Sequence, residues 1–208
     1  MTADWLRGRV LFIADLESLG DRLKPTVRAC LEGGVRMVQL RGKRASDLGL
    51  YRLGLDLRDL CSKAGALLFI NDRVDLALAV EADGVHLGQG DLPLPVARSL
   101  APSIILGATC RTAEQAAQAQ SSGADYVALG AVFPSPTKPE APVVGLERLR
   151  EVRAAVSLPI CAIGGITVAN AAEVFQVGAD FVAVISLLAE AEDPVWAAAG
   201  LVELCGAA

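Results

Sequence analysis

The chain has 208 residues, 53% hydrophobic and 21% charged, with a net charge of −5 and a sequence pI of about 5.0. This composition suits a compact globular domain rather than a disordered chain. The acidic balance and only 4% aromatics exclude a nucleic-acid surface or an anionic membrane as a partner held by bulk charge.

Short β-rich runs alternate with helical patterns along the whole length. Strands are expected at 9–14, 36–41, 67–71, 83–87, 104–107, 125–130, 159–163 and 180–185, with helices that include 46–64, 112–122 and a last one near 193–205. Gly33-Gly34, Gly65, Gly123 and Gly178 each close a helix before a strand, and Ser46, Thr112 and Thr167 are suitable N-caps. The stretches 81-EADGVHL-87, 123-GADYVAL-129 and 178-GADFVAV-184 repeat one unit, and 33-GGVRMVQL-40 is a looser copy. They fall on alternate strands, which argues for a single (β/α)8 TIM barrel of parallel strands over residues 1–208. An open doubly wound sheet is the alternative, but its first-loop glycine fingerprint is missing.

No apolar run reaches the roughly 18 residues of a membrane span, and the N-terminus shows no basic-then-apolar leader, so a soluble cytoplasmic protein is expected. Apolar helices would suit a homo-oligomer, although no surface for it is marked. The five cysteines are odd in number and widely spaced, which favours buried thiols over zinc or dithiol chemistry. Only Cys110, just past an expected strand, is a candidate to sit near a site.

A barrel places its chemistry at the C-terminal strand ends. The second strand ends in VQLRGK, where Gln39 and Arg41 share the inward parity and Lys43 follows. Arginine forks onto phosphate oxygens and lysine adds a mobile charge; the structural alternative is an Arg41 paired with a neighbouring carboxylate. The third ends in FINDRVD, with Asn71 and Asp72, and the fourth runs into HLGQGDLP, with Asp91. Either aspartate would also serve as a helix cap. Together, over one mouth, they suit Mg²⁺, which takes few carboxylates beside phosphate oxygens. An Arg/Lys set next to such a pair points to a pyrophosphate group.

The sixth strand leads into GAVFPSPTKPE, a long proline-stiffened loop carrying Ser135, Thr137 and Lys138, read as a binding loop or, for Lys138, as an ordinary surface lysine. The seventh ends in AIGGIT, where two glycines let backbone amides approach a phosphate at a helix start, and Ile185 and Ser186 follow the eighth. The single histidine, His86, lies within the fourth strand and is read as packed and hydrogen-bonded. Two anion sites and no convincing acid–base pair favour chemistry driven by a leaving group.

VQLRGK, FINDRVDLAL, ADGVHLGQGDLP, GADYVALGAVFPSPTK and AIGGI with AVIS make nearly the whole chain resemble the thiamine-phosphate synthase family. That family condenses a hydroxymethylpyrimidine diphosphate with a thiazole phosphate, or its carboxylate precursor, releasing pyrophosphate. The resemblance implies that Gln39, Leu40, Arg41, Gly42, Lys43, Asn71, Thr109 and Lys138 hold the pyrimidine diphosphate. It implies that Ser135, Pro136, Thr137, Gly165, Ile185 and Ser186 hold the thiazole phosphate, that Asp72 and Asp91 hold Mg²⁺, and that Arg41, Lys43 and Lys138 are catalytic. Ala14, Gly42, Gly90 and Cys110-Arg111 depart from the family pattern, whereas Thr109 and Ser135 keep a hydroxyl. Two rivals share the barrel: a thiazole tautomerase, which is associated with a histidine where this chain has Arg111, and a catalytically silent phosphate-binding barrel. An epimerase acting on phosphorylated sugars would want the missing acid–base pair.

Overall fold

The computed structural model describes residues 4–135 and 142–207. Eight strands, β1 (Val10–Asp15), β2 (Met37–Arg41), β3 (Leu67–Asn71), β4 (Gly84–Leu87), β5 (Ile105–Cys110), β6 (Tyr126–Leu129), β7 (Ile160–Ile163) and β8 (Phe181–Val184), close in chain order into a parallel barrel. The open-sheet alternative is thereby excluded. The helices Asp47–Lys63, Ala113–Ser121 and Pro194–Ala207 stand where periodicity places them. Among the described residues, no helix is long and apolar enough to cross a membrane.

Alternation fixes the two layers. Leu11, Ile13, Met37, Phe69, Tyr126, Cys161 and Phe181 fill the barrel interior, while their neighbours Phe12, Val38, Leu68, Ile70, Val127 and Val182 pack outward under the helices. The few aromatics concentrate inside: Tyr126 lies 5.4 Å from Phe181 and 6.0 Å from Phe69, and Trp5, ahead of β1, lies 5.6 Å from Tyr126. Gly84 and Gly107 make room for these rings, since a Cβ there would overlap Phe69 and Tyr126 respectively. The interior below the mouth is a packed core.

The internal repeat has a structural explanation. Asp83, Asp125 and Asp180 each stand one residue before an even strand and take the strand-start amide of the preceding one, Leu68, Leu106 and Ile160, at 2.7, 2.8 and 2.8 Å. Each also pairs with an arginine from the helix before, Arg58, Arg98 and Arg153. In the looser copy, Arg36 occupies the aspartate position and donates to the carbonyls of Leu31 and Val35 instead. These clamps tie strand to strand to helix at the end remote from the mouth. Asp125→Ala should therefore lower stability by about 1–3 kcal/mol, because it strands an amide and a guanidinium. Thermal melting would check this, with the rate per folded molecule expected to stay unchanged.

Two local expectations are corrected. Thr167 is not an N-cap: the helix after β7 begins only at Ala171, and the Thr167 amide donates to Asn170 Oδ1 at 2.8 Å. By contrast, the Ser46 and Thr112 side chains do cap their helices, accepting from Gly49 and Gln115. The fifth strand continues to Cys110, whose parity turns it outward into the buried layer under the helices, away from the mouth. Cys161 on β7 has the inward parity and is the cysteine that lines the mouth cavity.

Candidate active site

A cavity of about 210 Å³ opens over the C-terminal strand ends. One arc of its wall is Gln39 and Arg41 from β2, Asn71 from β3 and Thr109 from β5. Across from these stand Ser135 after β6, Gly165 after β7, and Ile185 and Ser186 after β8. Residues separated by up to 147 positions in the chain, from Gln39 to Ser186, thus share one hollow. Pro136, Thr137 and Lys138 lie outside the described residues.

A second hollow adjoins the first and is lined by Gly42, Lys43 and Asp72, with Asn71 shared by both. Leu40 contributes differently from its neighbours: its side chain points outward and is 2% exposed within the layer that includes Leu50. Leu40 lines the second hollow together with Leu50 and does not line the first. Gly42 is held close by packing, because a Cβ there would come 2.7 Å from Leu50.

Arg41 is both a wall of the cavity and one half of an ion pair. Its Nη1 is bonded to Asp15, its register neighbour on β1, and lies 3.4 Å from Glu17. Burial works to raise the Asp15 carboxyl, but hydrogen bonds from Ser18 and Arg41 and the Arg41 charge outweigh it and hold the group below the ordinary carboxylate range. Lys43, half-exposed, reaches Asp72 at 3.2 Å.

Neither mouth aspartate caps a helix. The helix after Asp72 begins at Val74 without a side-chain cap, and the one after Asp91 begins at Leu94 behind Pro93. Asp72 sits at φ +65°, a conformation rare for a residue with a side chain, and its amide donates to the His86 carbonyl at 2.8 Å. Asp91 Oδ2 accepts the Gly88 amide at 2.7 Å. Burial pushes the Asp91 carboxyl up; the Gly88 amide opposes this, while Asp72, within hydrogen-bonding reach, raises it further. Two adjacent carboxylates that repel one another, with no third His, Cys, Asp or Glu to form a metal cluster among the described residues, fit a hard cation that takes its remaining ligands from water and phosphate.

His86 meets Tyr126 Oη at 3.0 Å and Thr109 Oγ1 at 2.8 Å, so the imidazole sits in a chain that orients the Thr109 hydroxyl. Burial pushes the Tyr126 phenol up. On the opposite arc, Gly164 (φ +93°) and Gly165 (φ +65°) form the turn after β7. Asn170 braces it, its Nδ2 donating to the Gly165 carbonyl at 2.9 Å. The helix start expected at this turn lies further on, at Ala171, so what the turn offers is its own backbone.

Several residues at or beside the cavity were not assigned from the sequence. Asp15 shares the inward parity of Leu11 and Ile13 at a strand end, a legible signal. Glu17 lies in the short helix Leu16–Leu19 and Asn170 in the turn before Ala171, where strand parity says nothing. Arg111, seen only as a departure, lines the cavity.

The family model described as thiamine monophosphate synthase matches residues 10–188. The chain is 46% identical over 183 residues to the thiamine-phosphate synthase of Pyrococcus horikoshii, covering 86% of this chain and 88% of that one. It is 45% identical over 197 residues to the thiamine-phosphate synthase of Chloroflexus aurantiacus, covering 94% and 90%. Among solved structures, thiamine phosphate pyrophosphorylase from Pyrococcus furiosus superposes with a TM-score of 0.90 at 41% identity, over 97% of this chain and 96% of that one.

Proposed function

This chain belongs to the thiamine monophosphate synthase family, and we propose that its barrel mouth holds the two substrates on facing arcs. It is a transferase that makes thiamine phosphate. Gln39, Arg41, Lys43, Asn71 and Thr109, with Leu40 and Gly42 through their backbone, bind the pyrimidine diphosphate, and Lys138 joins them from the β6 loop. Ser135, Gly165, Ile185 and Ser186, with Pro136 and Thr137, bind the thiazole phosphate. Asp72 and Asp91 would hold Mg²⁺, which when bound neutralises charge on the leaving diphosphate.

The arrangement favours a dissociative displacement. As the bond from the pyrimidine methylene carbon to the diphosphate oxygen breaks, the aminopyrimidine shares the positive charge left on carbon, and Arg41, Lys43 and Lys138 stabilise the charge growing on oxygen. The thiazole nitrogen, which carries no proton, then bonds to that carbon, so no general base is required. Holding both substrates in one hollow replaces an encounter in water by a near-attack arrangement. The observation that carries this reading is the convergence of Gln39, Arg41, Asn71 and Thr109 with Ser135, Gly165, Ile185 and Ser186 on one cavity, whose histidine, His86, is tied to Tyr126 and Thr109. We further infer a single-domain cytoplasmic enzyme acting on small phosphorylated substrates.

The direct test is pyrophosphate release from the purified protein given both substrates, with and without Mg²⁺. Release coupled to thiamine phosphate and dependent on magnesium supports the assignment. Uncoupled binding of the thiazole phosphate alone would favour the tautomerase or the silent barrel. Arg111 separates the first rival: Arg111→His should leave the condensation rate within a few-fold, because Arg111 is exposed at the rim. A gain of tautomerase turnover in that variant, followed by absorbance of the thiazole, would revive the rival.

A further inference from the structure

Two carboxylates stand beside a site that must bind an anion. Asp15, the last residue of β1, is 4% exposed, and Glu17 follows in the short helix Leu16–Leu19, both against Arg41. Their negative charge opposes diphosphate binding, so their service must be of another kind. Each oxygen has a defined task. Asp15 Oδ1 takes Arg41 Nη1, and its Oδ2 accepts the Ser18 hydroxyl at 2.7 Å. Glu17 Oε2 lies 3.4 Å from the same Nη1, and its Oε1 accepts the Arg44 amide at 2.9 Å.

We propose that Asp15 and Glu17 form a positioning brace that fixes the segment from Arg41 to Arg44 for catalysis, an inference that rests on the reading of Arg41 and Lys43 as contacts to the leaving diphosphate. Gripping one nitrogen of a planar guanidinium from two sides fixes its plane. Among the described residues no acceptor takes Arg41 Nη2 or Nε, so that edge is kept for phosphate oxygens. The Glu17 bond to the Arg44 amide holds the backbone on the far side of Lys43. Lys43, half-exposed and with its ammonium 3.2 Å from Asp72, thereby has its backbone held on both flanks. The surplus negative charge also discourages retention of released pyrophosphate.

The test is steady-state kinetics of Asp15→Asn, Glu17→Gln and Glu17→Ala beside the parent, each with a thermal melt and a pyrophosphate inhibition constant. Asp15→Asn should lower kcat at least about tenfold while KM for the diphosphate changes less than about threefold, since misplacement harms the transition state more than the ground state. Pyrophosphate should inhibit that variant more tightly, because one opposing charge is gone. Glu17→Gln keeps an acceptor for the Arg44 amide and should retain most of the turnover that Glu17→Ala loses. If Asp15→Asn does not fold, Ser18→Ala frees Asp15 Oδ2 and should show a smaller drop with the same split. A kcat within about twofold of the parent, or a KM increase that accounts for the whole loss, overturns the brace. A parent that releases no pyrophosphate overturns the functional reading itself, a result seen before any variant is compared.

Discussion

Asp91→Asn is expected to lower turnover by about two to three orders of magnitude and to raise the magnesium concentration that gives half-maximal rate. Asparagine is the informative replacement because its side-chain oxygen can still accept the Gly88 amide, which Asp91 takes at 2.7 Å. The turn after β4 survives while the charge is lost. In the metal-free protein the change removes a charge that burial and then the neighbouring Asp72 disfavour, both pushing the Asp91 carboxyl up. The variant should therefore melt no lower than the parent without magnesium, and the parent should gain more from added magnesium. Initial rates over a magnesium titration, paired with melts, separate the two roles. An unchanged rate and an unchanged magnesium response would remove Asp91 from the metal. A lower melting point with a normal rate per folded molecule would reassign it to the turn alone.

Much of this site was legible because barrel strands impose parity. Gln39 and Arg41 share the inward register with Met37, and the structure puts all three inside while Val38 and Leu40 face the helices. Cys110 was a candidate only because it fell just past a strand expected to end at 107; three more residues of β5 bring it under the parity rule and turn it outward. The GAD repeat announced a barrel, but not its purpose, because each aspartate finds its arginine 25 or 27 residues upstream. That spacing is one helix and one strand, a distance with no local periodicity to betray it. Arg41 shows the deeper limit. Its sequence neighbours suggest a free cation for phosphate, and its ion pair with Asp15 spans 26 residues across adjacent strands. The two readings offered as alternatives hold at once: Arg41 is paired through one nitrogen and lines the cavity as well. The glycine turn after β7 misled in the other direction. Two glycines before a helical pattern suggested a helix start, whereas Asn170 first closes a turn of its own.

That turn supplies the second large expected effect. Gly165→Ala should destabilise the protein by about 2–5 kcal/mol, combining roughly 1–2 for a side chain held at left-handed φ with roughly 1–3 for overpacking. The overlap is specific: a Cβ at Gly165 would run into the Pro134 carbonyl and come 2.7 Å from Phe133. The β6 loop cannot retreat freely, because the Val132 and Phe133 amides bond the Ile163 and Gly164 carbonyls at 2.9 and 3.0 Å. Gly65 is the matched control, with φ +63° and nothing within 4 Å of an added Cβ. Gly65→Ala therefore measures the backbone strain alone, and the difference between the two variants isolates the overlap. The functional consequence should be one-sided. Displacing Ser135 and the turn should raise KM for the thiazole phosphate at least about tenfold, the size of one lost charge-assisted hydrogen bond, with KM for the diphosphate nearly unchanged. Equal melting losses in the two variants would show that the β6 loop yields easily. A rise confined to the diphosphate KM would move Gly165 to the other arc and reverse the assignment of the two substrates.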